Sequence, residues 1–128
     1  MNENGILFKD ETHKKYYYHF IMRFGMEHID PYKQTAAYLL ALDIVRDHFT
    51  DIFDFSESAI KPDGISAGWQ TGTSTKTTRL LFNLWNGYCY NEQDEPTADY
   101  TPDNIFCCEL ASYFIQAIKI RYPEYTAD

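Results

Sequence analysis

The stretch AGWQTGTSTKTTRLLFNLWNG, residues 67–87, puts five threonines and a serine ahead of an apolar run that closes at Gly87. Serine and threonine oxygens accept hydrogen bonds from the free N–H groups of a helix's first turn, so Ser74 or Thr75 is the expected N-cap. Glycine most readily takes the left-handed conformation at a helix end, so Gly87 is the expected stop. In between, the run LLFNLW is apolar nearly all round, which predicts an interior helix with the others packed about it.

The same stretch raises the question of phosphate. A P-loop is rejected by spacing: Gly68 and Gly72 are separated by three residues, and the lysine follows the second glycine by four positions. A looser anion site would use the helix N-terminus, the hydroxyls of Thr71, Thr73, Ser74 and Thr75, and the charges of Lys76 and Arg79. Capping alone accounts for those hydroxyls. Arg79, Asn83 and Asn86 recur on one helix face, and a buried polar group without a partner costs roughly 1–3 kcal/mol. Either Arg79 pins the preceding loop through Asp54 or Glu57, or the three line a pocket with Trp69 and Gln70 at its mouth. The candidate ligand-binding set is therefore Trp69, Gln70, Thr71, Lys76, Arg79, Asn83 and Asn86.

Working outward, FKDETHKKYYYHFIMRFG predicts a helix capped by Asp10 and stopped by Gly25, with Tyr17, Phe20, Ile21 and Phe24 on its apolar face. Tyr16, Tyr17 and Tyr18 span about 200° of that helix, so at least one is expected to be exposed. DPYKQTAAYLLALD predicts a second helix, capped by Asp30 with Pro31 at its first position and Tyr32, Ala36, Leu39 and Leu40 as its buried stripe. Asp43, Asp47 and Asp51 read as a solvated face, and Asp43 either breaks this helix or lies within a longer one. IKPDGI reads as a tight turn closing a short β-hairpin within residues 58–68. NEQDEPTADY is an acidic loop. TPDNIFCCELASYFIQAIKIRYPEY predicts the last helix, capped by Thr101, with Ile105, Cys108, Ala111, Phe114, Ile115 and Ile118 facing inward. The sum is an all-α, single-domain irregular bundle of about five helices over residues 1–128.

Net charge is −8, which opposes direct nucleic-acid binding, and only residues 61–91 are net positive. The three cysteines, with Cys107 and Cys108 adjacent, fit a reduced, cytoplasmic protein. His13, His19, His28 and His48 lack metal-ligand spacing, and the Cys107–Cys108 pair lacks the C-x-x-C spacing, so neither a metal nor a cofactor is implied. No secretory signal and no membrane span is read.

Phe53-Asp54-Phe55, Ile60-Lys61-Pro62, Gly68-Trp69-Gln70-Thr71 and the run from Arg79 through Phe82-Asn83-Leu84-Trp85-Asn86-Gly87 are held in common with a known group. On these segments the chain resembles a family of small proteins of unknown function from low-GC Gram-positive bacteria, often encoded on mobile elements. The resemblance covers about half the chain. It implies a cytoplasmic bacterial protein and brings no catalytic residue, cofactor or substrate.

Two functions are expected from these readings. The first is a non-enzymatic module that binds another protein, with Glu92, Asp94, Glu95 and Asp99 as the contact and a regulatory or anti-defence role where the gene is mobile. An acidic surface of this kind complements a basic partner. The second is a small-ligand or phosphate-ligand binding protein or enzyme, with its site at the loop 68–76 and helix 75–86.

Overall fold

The computed structural model describes residues 5–25 and 29–126. Among these the fold is mostly helical, with one two-stranded antiparallel hairpin. The helices are α1 (Glu11–Phe24), α2 (Pro31–Leu40), α3 (Asp43–Arg46), α4 (Phe49–Ile52), α5 (Gly72–Asn86), α6 (Pro102–Ile105), α7 (Ala111–Arg121) and α8 (Pro123–Thr126). Strands β1 (Phe53–Asp54) and β2 (Ala59–Ile60) form the hairpin, and 3-10 turns occupy Pro62–Ser66 and Ala98–Tyr100.

The two upstream caps form as the sequence predicts. Asp10 accepts from the His13 N–H at 2.7 Å and Asp30 from the Lys33 N–H at 2.9 Å, each answering an orphan donor of its helix's first turn. Residues Tyr17, Phe20 and Ile21 of α1 are buried. Tyr16 and Tyr18 are only half-buried, so the tyrosine run leaves no fully exposed member. Arg46 covers Tyr16 at 4.6 Å, and Tyr18 meets Tyr17 edge-on at 5.1 Å.

The centre of the molecule is α2, not α5. Every residue from Thr35 to Leu42 is buried, and α2 packs against α1, α5 and α7. Its alanines at 36, 37 and 41 allow those neighbours to approach closely, while Tyr38, Leu39 and Leu40 fill the space between them. Burying each such large side chain contributes about 1.5–3 kcal/mol. Tyr32, expected in the buried stripe, is 43% exposed at the first turn, with the Arg121 guanidinium 3.6 Å from its ring. By contrast α5 is two-faced: Leu80, Leu81, Phe82 and Leu84 are buried, while Arg79, Asn83 and Trp85 are half-exposed.

Of the two alternatives open at Asp43, the structure takes the break, and the last helix, expected to be continuous, is broken as well. After α2, Leu42 is extended and α3 starts afresh at Asp43; the Arg46 guanidinium donates to the freed Ala41 carbonyl at 3.0 Å. The last helix is interrupted at 106–110, between α6 and α7, and the break resets the phase of the inward face. Leu110, Phe114, Ala117 and Ile120 point into the core, whereas Ile115 is 51% exposed.

The hairpin lies a few residues before its expected place. Phe53 pairs with Ile60 and Asp54 with Ala59, and the intervening turn is held by Asp54, whose carboxylate accepts from the Ser56 and Glu57 N–H groups. Pro62–Ser66, expected as the turn, is instead a 3-10 helix packed on α4. Gly64 makes that packing possible: a Cβ there would lie 2.1 Å from the Asp51 carbonyl oxygen.

Candidate functional site

The threonine-rich segment folds into a capping box. The N-cap is Thr71 rather than Ser74 or Thr75; it accepts from the Ser74 N–H at 3.2 Å, and Ser74 Oγ accepts from the Thr71 N–H at 2.7 Å. Gln70 locks this corner, donating to the Gly64 carbonyl at 3.0 Å and to Thr78 Oγ1 at 3.2 Å while Ser74 Oγ donates to its carbonyl oxygen. Thr77 and Thr78 are buried because their hydroxyls donate to the carbonyls four residues back, both at 2.9 Å. At the other end Gly87, at φ 79°, closes the helix in the left-handed conformation.

The remaining members of the candidate ligand set point different ways. Trp69 donates from its indole to Asp51 at 2.8 Å and stacks on His48 at 4.4 Å. Lys76 reaches the Cys107 carbonyl at 3.3 Å. Asn83 donates to the Tyr88 carbonyl at 3.3 Å, and Asn86 accepts from the Tyr88 N–H at 3.1 Å, so these two shape the exit from α5. Arg79 pairs with Asp99 at 3.5 Å, in the loop that follows α5, rather than with Asp54 or Glu57 in the one that precedes it. That pair is well solvated and worth about 0–1 kcal/mol.

Arg79 leads to a cavity. A cleft of about 710 Å³ is lined by the 3-10 turn Pro62–Ser66, by Arg79, and by the loop that follows α5. The loop is built, not loose. Tyr90 bridges to Pro96, the Thr97 N–H donates to the Cys89 carbonyl at 2.9 Å, and Asn91 Oδ1 accepts from the N–H groups of Gln93 and Glu95. Glu92 accepts from Ser66 Oγ at 2.8 Å, tying the loop to the 3-10 turn across the cleft.

Three tyrosines and four carboxylates line this space: Tyr88, Tyr90 and Tyr100 with Asp63, Glu92, Asp94 and Asp99. Arg79 is the one cation among the described lining residues, so the cleft is net negative. The field registers on Tyr88, whose hydroxyl is pushed above its ordinary pKa by burial and then by Asp94 and Asp63. Burial raises that of Tyr100 much further. Both phenols therefore stay protonated to higher pH than a free tyrosine. Tyr100 is 9% exposed, and its hydroxyl has no hydrogen-bond partner among the described residues. Tyr88 meets Tyr90 edge-on at 5.4 Å and Tyr100 at 6.0 Å, a connected aromatic wall.

The cleft thus gathers Glu92, Asp94 and Asp99 from the candidate partner-binding set and Arg79 from the ligand-binding set; Glu95 is exposed in the same loop but does not line it. The three tyrosines and Asp63 were not among the expected site residues. The signal that could have found them is the Tyr-Cys-Tyr run and Tyr100 bracketing an acid-rich loop. His13, His19 and His48 lie apart from the cleft, and His28 falls outside the described residues. Among the described residues no group of three or more His, Cys, Asp or Glu is disposed to hold a metal ion, and no helix is long and apolar enough to cross a membrane.

No curated protein and no solved structure matches the chain. A family model does, that of a family of unknown function (DUF6075), over residues 3–128. Since the match spans nearly the whole chain, the protein belongs to that family.

Proposed function

We propose that residues 1–128 act as one acidic, cytoplasmic helical domain whose function is to bind another protein without catalysis, through the cleft and the loop beside it. The observation that carries this reading is the lining of the cleft: four carboxylates and three tyrosines, set against a single arginine that is itself paired. Such a surface favours a basic segment, steers it from a distance, and repels phosphate backbones. Neither histidine nor cysteine is among the described residues that line it, so the groups that most often act as base or nucleophile are not at hand. A regulatory or anti-defence role on a mobile element is the setting that the resemblance implies.

The test is affinity capture from the native host with two baits, the wild-type chain and a triple variant carrying Glu92→Lys, Asp94→Lys and Glu95→Lys. Asp99 is left alone because its reversal would also break the Arg79 pair. The expected result is a discrete partner on the wild-type bait that is lost from the variant, with both baits giving the same circular dichroism. A partner retained equally by both would refute the reading.

A small-ligand site is the second reading, and the cavity volume favours it, since 710 Å³ falls within the range of small-molecule pockets. Of the ligand set expected on that reading, only Arg79 lines the cavity. An anionic ligand there would compete with Asp99 for Arg79 and face the other carboxylates.

A further inference from the structure

We propose that the cleft receives an arginine side chain of the partner protein, its guanidinium stacked on Tyr90 and held by the carboxylates of Glu92 and Asp94. This rests on the reading of the cleft as a protein-binding site and names the side chain that it selects.

The chain's own arginines show the chemistry. The chain has four, and all four place the guanidinium over an aromatic ring. Arg23 lies 4.7 Å from the centroid of Phe55, Arg46 4.6 Å from Tyr16, and Arg121 3.6 Å from Tyr32. Lysines here go to oxygen instead: Lys9 to Asp43, Lys61 to the Thr50 carbonyl and Lys76 to the Cys107 carbonyl. The difference is physical. A guanidinium is planar and weakly hydrated, so it stacks on a ring face while its edge forks onto a carboxylate; an ammonium holds its water and does neither as well.

The cleft offers a ring beside carboxylates, as Tyr100 and Asp99 do for Arg79. Tyr90 is 43% exposed there, with Glu92 and Asp94 from the same loop lining the same space. A second and independent observation points to a ligand. Tyr100 is nine-tenths buried on the cleft wall, yet its hydroxyl meets no partner among the described residues. Buried polar atoms are nearly always hydrogen-bonded; two side-chain atoms among the described residues are not, and of these Gln116 Nε2 does not line the cleft whereas Tyr100 does. The backbone carbonyls flanking an inserted arginine would supply acceptors, and 710 Å³ leaves room for that backbone beside the side chain.

The experiment titrates the wild-type chain with three blocked pentapeptides, Gly-Gly-X-Gly-Gly, where X is arginine, lysine or citrulline, the neutral isostere of arginine. Binding is followed by amide chemical shifts at low salt. The arginine peptide is expected to perturb amides of residues 62–66 and 88–100, and to bind roughly fivefold more tightly than the lysine peptide, as one guanidinium–ring contact would provide. The citrulline peptide is expected not to bind. Tyr90→Ala should bring arginine down to the lysine level, while Glu92→Gln with Asp94→Asn should weaken both. Equal affinity for arginine and lysine, binding of citrulline, perturbations outside the cleft, or no binding at all would each overturn the proposal. Charge reversal that still abolishes capture of the partner would then leave the acidic-surface reading standing without this inference. Capture insensitive to charge reversal removes the reading itself.

Discussion

Tyr38 and Tyr100 are both buried tyrosines, and the regions around them treat polar groups in opposite ways. Around Tyr38 the polar groups are turned inward and most are met, the exception being Gln116 Nε2, which has no hydrogen-bond partner among the described residues. The Tyr38 hydroxyl donates to the Leu7 carbonyl, His13 Nδ1 accepts from the Lys9 N–H at 3.0 Å, and His13 Nε2 donates to the Tyr38 carbonyl at 2.9 Å. Gln116 completes the seam by accepting from the Leu7 N–H at 2.9 Å. These bonds fasten residues 7–9 onto the bundle. Around Tyr100 the carboxylates line an open cleft, and the buried hydroxyl is unanswered. Satisfied polar networks specify one packed arrangement, whereas unspent polar capacity beside a cavity is what recognition draws on. The bundle's closed side holds the fold, and the cleft side remains chemically open.

The hardest test of this division is at the junction between the two regions. Gly64 sits in the 3-10 turn that lines the cleft on one side and rests on α4 on the other. In Gly64→Ala the added carbon would face the Asp51 carbonyl at 2.1 Å and the Ile52 side chain at 2.8 Å. Backbone cannot give way as a flexible side chain does, so the expected loss is about 3 kcal/mol or more, the upper end of overpacking costs. Urea denaturation measures it. Ser66→Ala, in the same turn but exposed, should cost less than about 0.5 kcal/mol. Equal effects at the two positions would show that the turn is not anchored through its contact with α4.

The closed side is predicted to be the pH-sensitive one. Burial holds the His13 imidazole below its ordinary pKa, partly offset by its hydrogen bond to the Tyr38 carbonyl and by Asp10. The folded protein therefore refuses a proton that the unfolded chain accepts. His13's contribution is complete above the unfolded value of about 6.5 and is lost as pH falls from there through the lower folded value. Urea midpoints should fall between pH 7 and pH 5.5. His13→Gln offers an acceptor and a donor without titrating, and should flatten that slope. A slope unchanged by the substitution would place the pH dependence elsewhere.

What the sequence discloses follows the same division. Local rules that act within a few residues are legible: Asp10 and Asp30 cap, Gly25 and Gly87 stop, and all four do so in the structure. The central role of α2 is not legible, because alanines at 36, 37 and 41 lower its apparent hydrophobicity while enabling the close contacts that bury it. The break at 106–110 is hidden too, since no glycine or proline marks it and the inward phase simply restarts at Leu110. The cleft is the least legible part. Three of its four acids and Arg79 could be named one by one, but Arg79 meets Asp99 twenty positions away, and Tyr88, Tyr90 and Tyr100 are gathered by loop bonds rather than by helical period. Periodicity reports burial, and a site assembled from a loop has no period to report.

The finest cut between the two regions is one oxygen atom removed from each. Tyr38→Phe leaves the Leu7 carbonyl without its donor and should cost about 0.5–1.5 kcal/mol, the usual worth of a buried hydrogen bond. Tyr100→Phe removes a buried hydroxyl that has no partner to lose among the described residues, so the desolvation penalty disappears with it. The expected change is zero to a slight gain in stability, read from paired thermal melts at one pH. The same variant should weaken the arginine peptide, because the donor it deletes is the one assigned to the ligand. A side chain that lowers stability and raises affinity is held for binding rather than for packing. Should Tyr100→Phe destabilise as much as Tyr38→Phe, its hydroxyl is already answered inside the folded chain, and the contrast between the closed and the open side fails at the point where it is sharpest.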